Sequence, residues 1–169
     1  GIFTAIILGI SSLNSNALAS VSSIMIDAET GKIISQYNAD ERRYPASLTK
    51  IMTLYLAFEA IENGKLSMND SLKVSRKAAN REPSRLGLRA GQTVKVKTAI
   101  NALIVKSAND CATVLAEGLA GSEEEFAKKM TAKAKKLGMK NTTFKNASGL
   151  PNSKQKTTAR DMATLATAM

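Results

Sequence analysis

Ser47-Leu48-Thr49-Lys50-Ile51-Met52-Thr53-Leu54-Tyr55-Leu56-Ala57-Phe58 sets a serine and a lysine three residues apart at the head of a long apolar run, in a chain without histidine. The missing histidine excludes every Ser-His-Asp arrangement, so a nucleophilic serine here needs another group to take its proton. Positions i and i+3 share one face of a helix, which brings a lysine amine within reach of a serine hydroxyl. The apolar run predicts a buried helix starting near Ser47. Burial disfavours the ammonium form and so favours a lysine that acts as a base.

Context is what gives this pair its weight. About one Ser-x-x-Lys string is expected by chance in a chain of this size, and Ser153-Lys154-Gln155-Lys156 is a second match. That copy follows Pro151 in a polar stretch with no apolar helix behind it, and reads as solvated loop.

Working outward, 169 residues fit one domain or the larger part of one, with enough apolar content for a core. Residues 1–19 read as an export signal: apolar Ile2 to Ile10, polar Ser11 to Asn16, then Ala17-Leu18-Ala19 as an A-x-A cleavage pattern. The mature protein is expected to begin near Ser20, outside the cytoplasm, in the periplasm or on the outer face of a bacterial cytoplasmic membrane. Cys111 is the single cysteine, which excludes an internal disulfide, and its neighbours Ala112, Val114 and Leu115 mark it as a small core residue. With no histidine and one cysteine, neither a metal centre nor a cofactor is expected. Part of the formal charge of +10 sits on a solvated helix in which Glu123-Glu124-Glu125 leads to Lys128, Lys129, Lys133, Lys135 and Lys136, the order that complements a helix dipole. Aromatic residues do not interleave with the basic ones, which argues against nucleic acid.

Two strand-like runs, Val21 to Asp27 and Lys32 to Tyr37, flank the turn residues Ala28-Glu29-Thr30-Gly31 and predict a hairpin. Residues 65 to 95 read as irregular, with short strands near Leu72–Ser75 and Gln92–Lys95. Helices are expected from about Val96 to Val105 and from Asp110 to Ala120, broken at Ser107-Ala108-Asn109. Ser122-x-x-Glu125 is a capping box for another helix, and Thr158-x-x-Asp161 looks like the cap of one last helix. Thr142–Lys145 is a strand candidate. The last helix is still running at Met169, so the chain reads as the N-terminal part (20–169) of a longer catalytic domain.

Four strings in order, Tyr44-Pro45-Ala46-Ser47-Leu48-Thr49-Lys50, Lys106-Ser107-Ala108-Asn109-Asp110, Ala147-Ser148-Gly149-Leu150 and Thr158-Ala159-Arg160-Asp161-Met162, resemble the D-alanyl-D-alanine carboxypeptidases. These are low-molecular-mass penicillin-binding proteins of the serine DD-peptidase and β-lactamase fold. The resemblance implies a mixed α+β fold, a helical lobe with a partial antiparallel sheet. It implies removal of the terminal D-alanine from peptidoglycan stem peptides ending in D-Ala-D-Ala, with β-lactams as covalent inhibitors. In that reading Ser47 is the nucleophile, Lys50 its base, Ser107 a proton relay toward the leaving amine, and Asn109 an amide that binds substrate and orients the lysine. On spacing alone Ser107 and Asn109 serve equally well as helix caps.

One departure stands out. The family's third motif, Lys-Thr-Gly or Lys-Ser-Gly on a strand, has no counterpart: Lys97-Thr98-Ala99 and Lys156-Thr157-Thr158 both lack the glycine. These residues alone are therefore expected to be inactive and poorly soluble, and any membrane anchor would lie in a missing C-terminal segment. A β-lactamase is disfavoured because no Glu-x-x-Leu-Asn string follows Ser107; a transpeptidase differs little in sequence. The alternative of another class is a non-catalytic envelope protein that binds stem peptides or partners on a retained scaffold.

Overall fold

The computed structural model describes residues 21–169, so the expected export signal lies outside the described residues. Strands β1 (Ser23–Ile26) and β2 (Ile33–Tyr37) form the expected antiparallel hairpin, pairing Ser23 with Tyr37 and Ile24 with Gln36. Its turn is closed by Asp27, whose Oδ1 accepts the Thr30 N–H at 2.7 Å and the Thr30 hydroxyl at 2.7 Å. Those bonds hold the Asp27 carboxyl below the usual carboxylate range. Met25, Ile34 and Tyr37 of this hairpin are exposed.

Helix α1 (Thr49–Glu62) begins two residues later than the sequence spacing predicts. Ser47 instead occupies a tight turn, Ala46–Leu48, because Ala46 adopts a left-handed φ of 46° directly after Pro45. The helix ends at Asn63, whose N–H bonds to the Glu59 carbonyl. Strands β3 (Ser71–Lys73) and β4 (Thr93–Lys95) pair as a second, separate two-stranded sheet. Between them runs a short helix not anticipated from the sequence, α2 (Arg76–Ala79), capped by the Ser75 hydroxyl.

Helices α3 (Val96–Lys106), α4 (Asn109–Ala120) and α5 (Glu123–Lys136) follow the expected order. Every residue from Asn109 to Ala116 is buried, so α4 is the core helix, with α1, α2, α3 and α5 packed around it. Cys111 lies fully buried among them, and desolvation together with the neighbouring Asp110 pushes its thiol up to about 12. Helix α5 buries Phe126, Met130 and Ala134 at four-residue spacing and turns its lysines outward. Its Ser122 cap accepts the Glu125 N–H at 3.1 Å.

Helix α6 (Ala159–Ala168) is capped by Thr158, which accepts the Asp161 N–H at 3.1 Å. The Asp161 carboxylate does not reach back to complete a capping box. It accepts instead from the Asn141 N–H at 2.9 Å and the Thr142 hydroxyl at 2.6 Å. Likewise Gln155 accepts the N–H groups of Lys145 and Asn146. With the Phe144 N–H taken by the Thr131 hydroxyl at 3.0 Å and the Lys145 N–H by Gln155, Thr142–Lys145 forms only one bridge, Thr143 to Lys156, rather than a strand. Arg160 forks onto Asp40 at 2.7 and 2.8 Å and reaches Gln36 at 2.7 Å, fastening α6 to the hairpin. That is a packing role, as its place in a first helical turn suggests.

Candidate active site

Ser47 is exposed, in the turn that leads into α1. The left-handed Ala46 before it carries backbone strain on the order of 1–2 kcal/mol, as any residue with a Cβ does there. Among the described residues three non-glycine positions have positive φ: Asn38, Ala46 and Ser107. Asparagine adopts this conformation readily. The other two are the residue before Ser47 and the serine of the second motif, so the strain collects at the expected site.

Lys50, in the first turn of α1, is only 5% exposed. Desolvation lowers its amine to about 8, close enough to neutrality for a base. Its Nζ donates to the Ser148 carbonyl at 2.6 Å. One turn along the same face, the Thr53 hydroxyl donates to the Ala147 carbonyl at 2.7 Å. A single loop, Asn146–Gly149, thus lines the start of α1.

The same loop touches the serine turn. Gly149 has φ +90°, and a Cβ built on it would lie 1.8 Å from the Ala46 oxygen and 3.1 Å from the Ser47 nitrogen. Only glycine permits so close an approach. In space Ser148 and Gly149 meet both the expected nucleophile's turn and the expected base. The nearest signal was the family-like Ala147-Ser148-Gly149-Leu150 string itself.

Ser107 ends α3 in the left-handed conformation, and Asn109 opens α4. Both helices pack on α1. Asn109 is buried, and its Nδ2 donates to the Glu82 carbonyl at 2.9 Å while its N–H donates to the Ser84 carbonyl at 2.7 Å. Among the described residues, no hydrogen bond joins Ser107 or Asn109 to Ser47 or Lys50. Asp110 beside them accepts the N–H groups of Leu86, Gly87, Leu88 and Cys111 at 2.9–3.1 Å. Burial works against its charge, but those four donors outweigh burial and hold its carboxyl below the usual range. The second motif is therefore stitched to the 82–88 loop. Ser153, the other Ser-x-x-Lys match, is an exposed turn residue.

Residues 10–169 match the sequence profile of the D-alanyl-D-alanine carboxypeptidase family. The chain is 43% identical over 145 residues to D-alanyl-D-alanine carboxypeptidase DacF of Bacillus subtilis, covering 86% of this chain and 37% of that protein. It is 41% identical to DacC of Escherichia coli, covering 86% and 38%. It thus spans less than two fifths of the length of either curated relative. Among solved structures, D-alanyl-D-alanine carboxypeptidase DacD from Francisella tularensis superposes with a TM-score of 0.86 at 38% identity, over 99% of this chain and 40% of that one. Penicillin-binding protein D2 from Listeria monocytogenes, in its ampicillin-bound form, does so at 0.75 and 33% identity, over 86% and 59%.

Proposed function

Because this chain belongs to the D-alanyl-D-alanine carboxypeptidase family, we propose that its protein is a serine-type carboxypeptidase that cleaves the terminal D-alanine from peptidoglycan stem peptides. The observation that carries this reading is the near-dry lysine amine, lowered to about 8, in the turn that follows an exposed serine.

Lys50 takes the Ser47 hydroxyl proton as Oγ attacks the carbonyl between the two terminal D-alanines. The Ser47 N–H, free of the helical ladder at this end of α1, is a donor to the developing oxyanion. The carbon–nitrogen bond then breaks, and the departing D-alanine amine receives a proton through Ser107. Water hydrolyses the remaining Ser47 ester, releasing the shortened stem peptide and returning the proton to Ser47. Asn109 contributes to substrate binding from the second motif. β-Lactams enter the same sequence, open on Ser47 and stay as a slowly hydrolysed ester.

The reading carries an address with it: export under the residue 1–19 signal to the periplasm or the outer face of the cytoplasmic membrane. The 169 residues by themselves are proposed to lack turnover, since no Lys-Thr-Gly string lies within them. The Lys-Thr-Gly strand is proposed to supply the second oxyanion donor, and loss of one such donor costs about 100- to 1,000-fold.

The test is an intact-mass measurement on the protein as its gene encodes it, after incubation with benzylpenicillin, followed by peptide mapping and a D-alanine release assay. One penicillin per chain on the peptide containing Ser47, with D-alanine released from a stem-peptide mimic, is expected. An unmodified protein, or an adduct on another peptide, would overturn the assignment.

A further inference from the structure

Three consecutive peptide units between Asn146 and Gly149 are each clamped by a side chain. The Asn146–Ala147 unit gives its N–H to Glu123 Oε1 at 3.3 Å. Glu123 is itself 2% exposed, ion-paired with Arg81 and with Lys77. The Ala147–Ser148 unit has its carbonyl on the Thr53 hydroxyl at 2.7 Å and its N–H on Asn146 Oδ1 at 3.3 Å. In the Ser148–Gly149 unit the N–H goes to Asn146 Oδ1 at 2.7 Å, and the carbonyl takes Lys50 Nζ at 2.6 Å.

A trans peptide points its N–H and its carbonyl in opposite directions. Fixing the Gly149 N–H therefore fixes the line along which the Ser148 oxygen meets Lys50. We propose that Asn146 is a positioning residue for the reaction, aiming the Ser148 carbonyl at Lys50 through the Ser148–Gly149 peptide. This rests on the reading of Lys50 as the base of Ser47.

The chemistry explains why an acceptor of this kind is useful. A backbone carbonyl accepts hydrogen bonds and cannot take a proton, so it holds one N–H of the amine in both the neutral and the protonated state. With one N–H held, rotation about the terminal carbon–nitrogen bond is restricted and the lone pair keeps a constant direction. A flexible lysine carries about 2 kcal/mol of rotamer entropy, and proton transfer is efficient only in aligned geometry. Asn146 is in turn braced: its Nδ2 donates to the Leu150 carbonyl at 2.9 Å and its N–H goes to buried Gln155 at 3.2 Å. Its acceptor is thereby kept from rotating away. Asparagine suits the position because its side-chain oxygen bonds backbone N–H groups two and three residues on.

The experiment uses the protein as its gene encodes it and compares Asn146→Ala with Asn146→Ser, which restores a shorter, uncharged acceptor. Stopped-flow acylation by a fluorescent penicillin separates the non-covalent binding constant from the acylation rate constant. For Asn146→Ala the rate constant is expected to fall about 10- to 100-fold, with the binding constant changed less than threefold and the protein still folded by circular dichroism. Asn146→Ser is expected to recover most of that loss. Acylation of Asn146→Ala at the unsubstituted rate would overturn the inference alone, as would a loss confined to the binding constant or a serine variant no faster than alanine. Failure of the unsubstituted protein to be acylated at all would overturn both this inference and the assignment of function.

Discussion

Lys50→Met is expected to slow acylation of Ser47 by benzylpenicillin about 100- to 10,000-fold, the usual contribution of a general base. Ser47→Ala, which removes the proposed nucleophile, sets the zero. Methionine keeps the length and apolar stem of lysine, so lost packing is not a competing explanation. The unsubstituted protein should also show the titration of its base. With Lys50 as the proposed base, acylation requires the neutral amine, so the rate should climb with pH and level off above a midpoint of about 8. A midpoint near the ordinary lysine value, or a flat profile, would exclude Lys50 as the base.

The same burial has a sign in stability. Between about 8 and 10.5 the unfolded chain keeps a lysine proton that the folded chain has lost, so stability rises with pH across that window. Below about 8 the folded protein must bury an ammonium. Lys50→Met should therefore melt at or above the unsubstituted protein at pH 7, while being nearly inert. A lower melting temperature would show that the Ser148 hydrogen bond outweighs the desolvation.

Among the described residues, Gly149→Ala is expected to be the most damaging glycine substitution. The residue needs φ +90°, and its Cβ would sit 1.8 Å from the oxygen and 2.4 Å from the carbon of Ala46. Both are backbone atoms, so no side chain can swing aside; either the Ala46–Ser47 turn or the 146–149 loop must move. A cost above about 4 kcal/mol is exceptional for one substitution, and this site has the two causes together, steric overlap and strain. Gly121→Ala is the control: φ +78° but open space around the Cβ, so only about 1 kcal/mol should be lost. Chemical denaturation of both variants measures the difference, and penicillin labelling reports whether any folded Gly149→Ala still forms the site. Equal losses at the two glycines would mean that the close approach contributes nothing.

Much of this was legible in the primary structure because local chemistry decided it. The Ser122 and Thr158 caps, the hairpin around Asp27 and the helix break at Ser107 all depend on neighbours within a few residues. The Thr142–Lys145 segment was not legible, since Thr131 and Gln155 claim its backbone donors from ten to thirteen residues away. Nor was the start of α1, where the left-handed Ala46 interrupts an otherwise regular pattern. At the site, Ser47 and Lys50 stand out by spacing and by the absence of histidine, a one-dimensional signal. The acceptor for Lys50 lies in a loop far along the chain, and no helical or strand period links the two. Asn109 illustrates the converse: its motif is plain, but its amide donates to Glu82, a partner no spacing rule specifies.

The bond from Lys50 to Ser148 spans 98 positions and that from Arg160 to Asp40 spans 120. Closing such loops carries an entropic cost before any contact offsets it, so they form late among the events of folding. Without the Asn146–Gly149 loop in place, Lys50 lacks the Ser148 acceptor and the cover that this loop gives the start of α1. A chain whose last third is unfolded is therefore expected to hold Ser47 beside a protonated amine. Reactivity becomes a late reporter of assembly: a penicillin label on Ser47 during refolding should lag the appearance of helical signal.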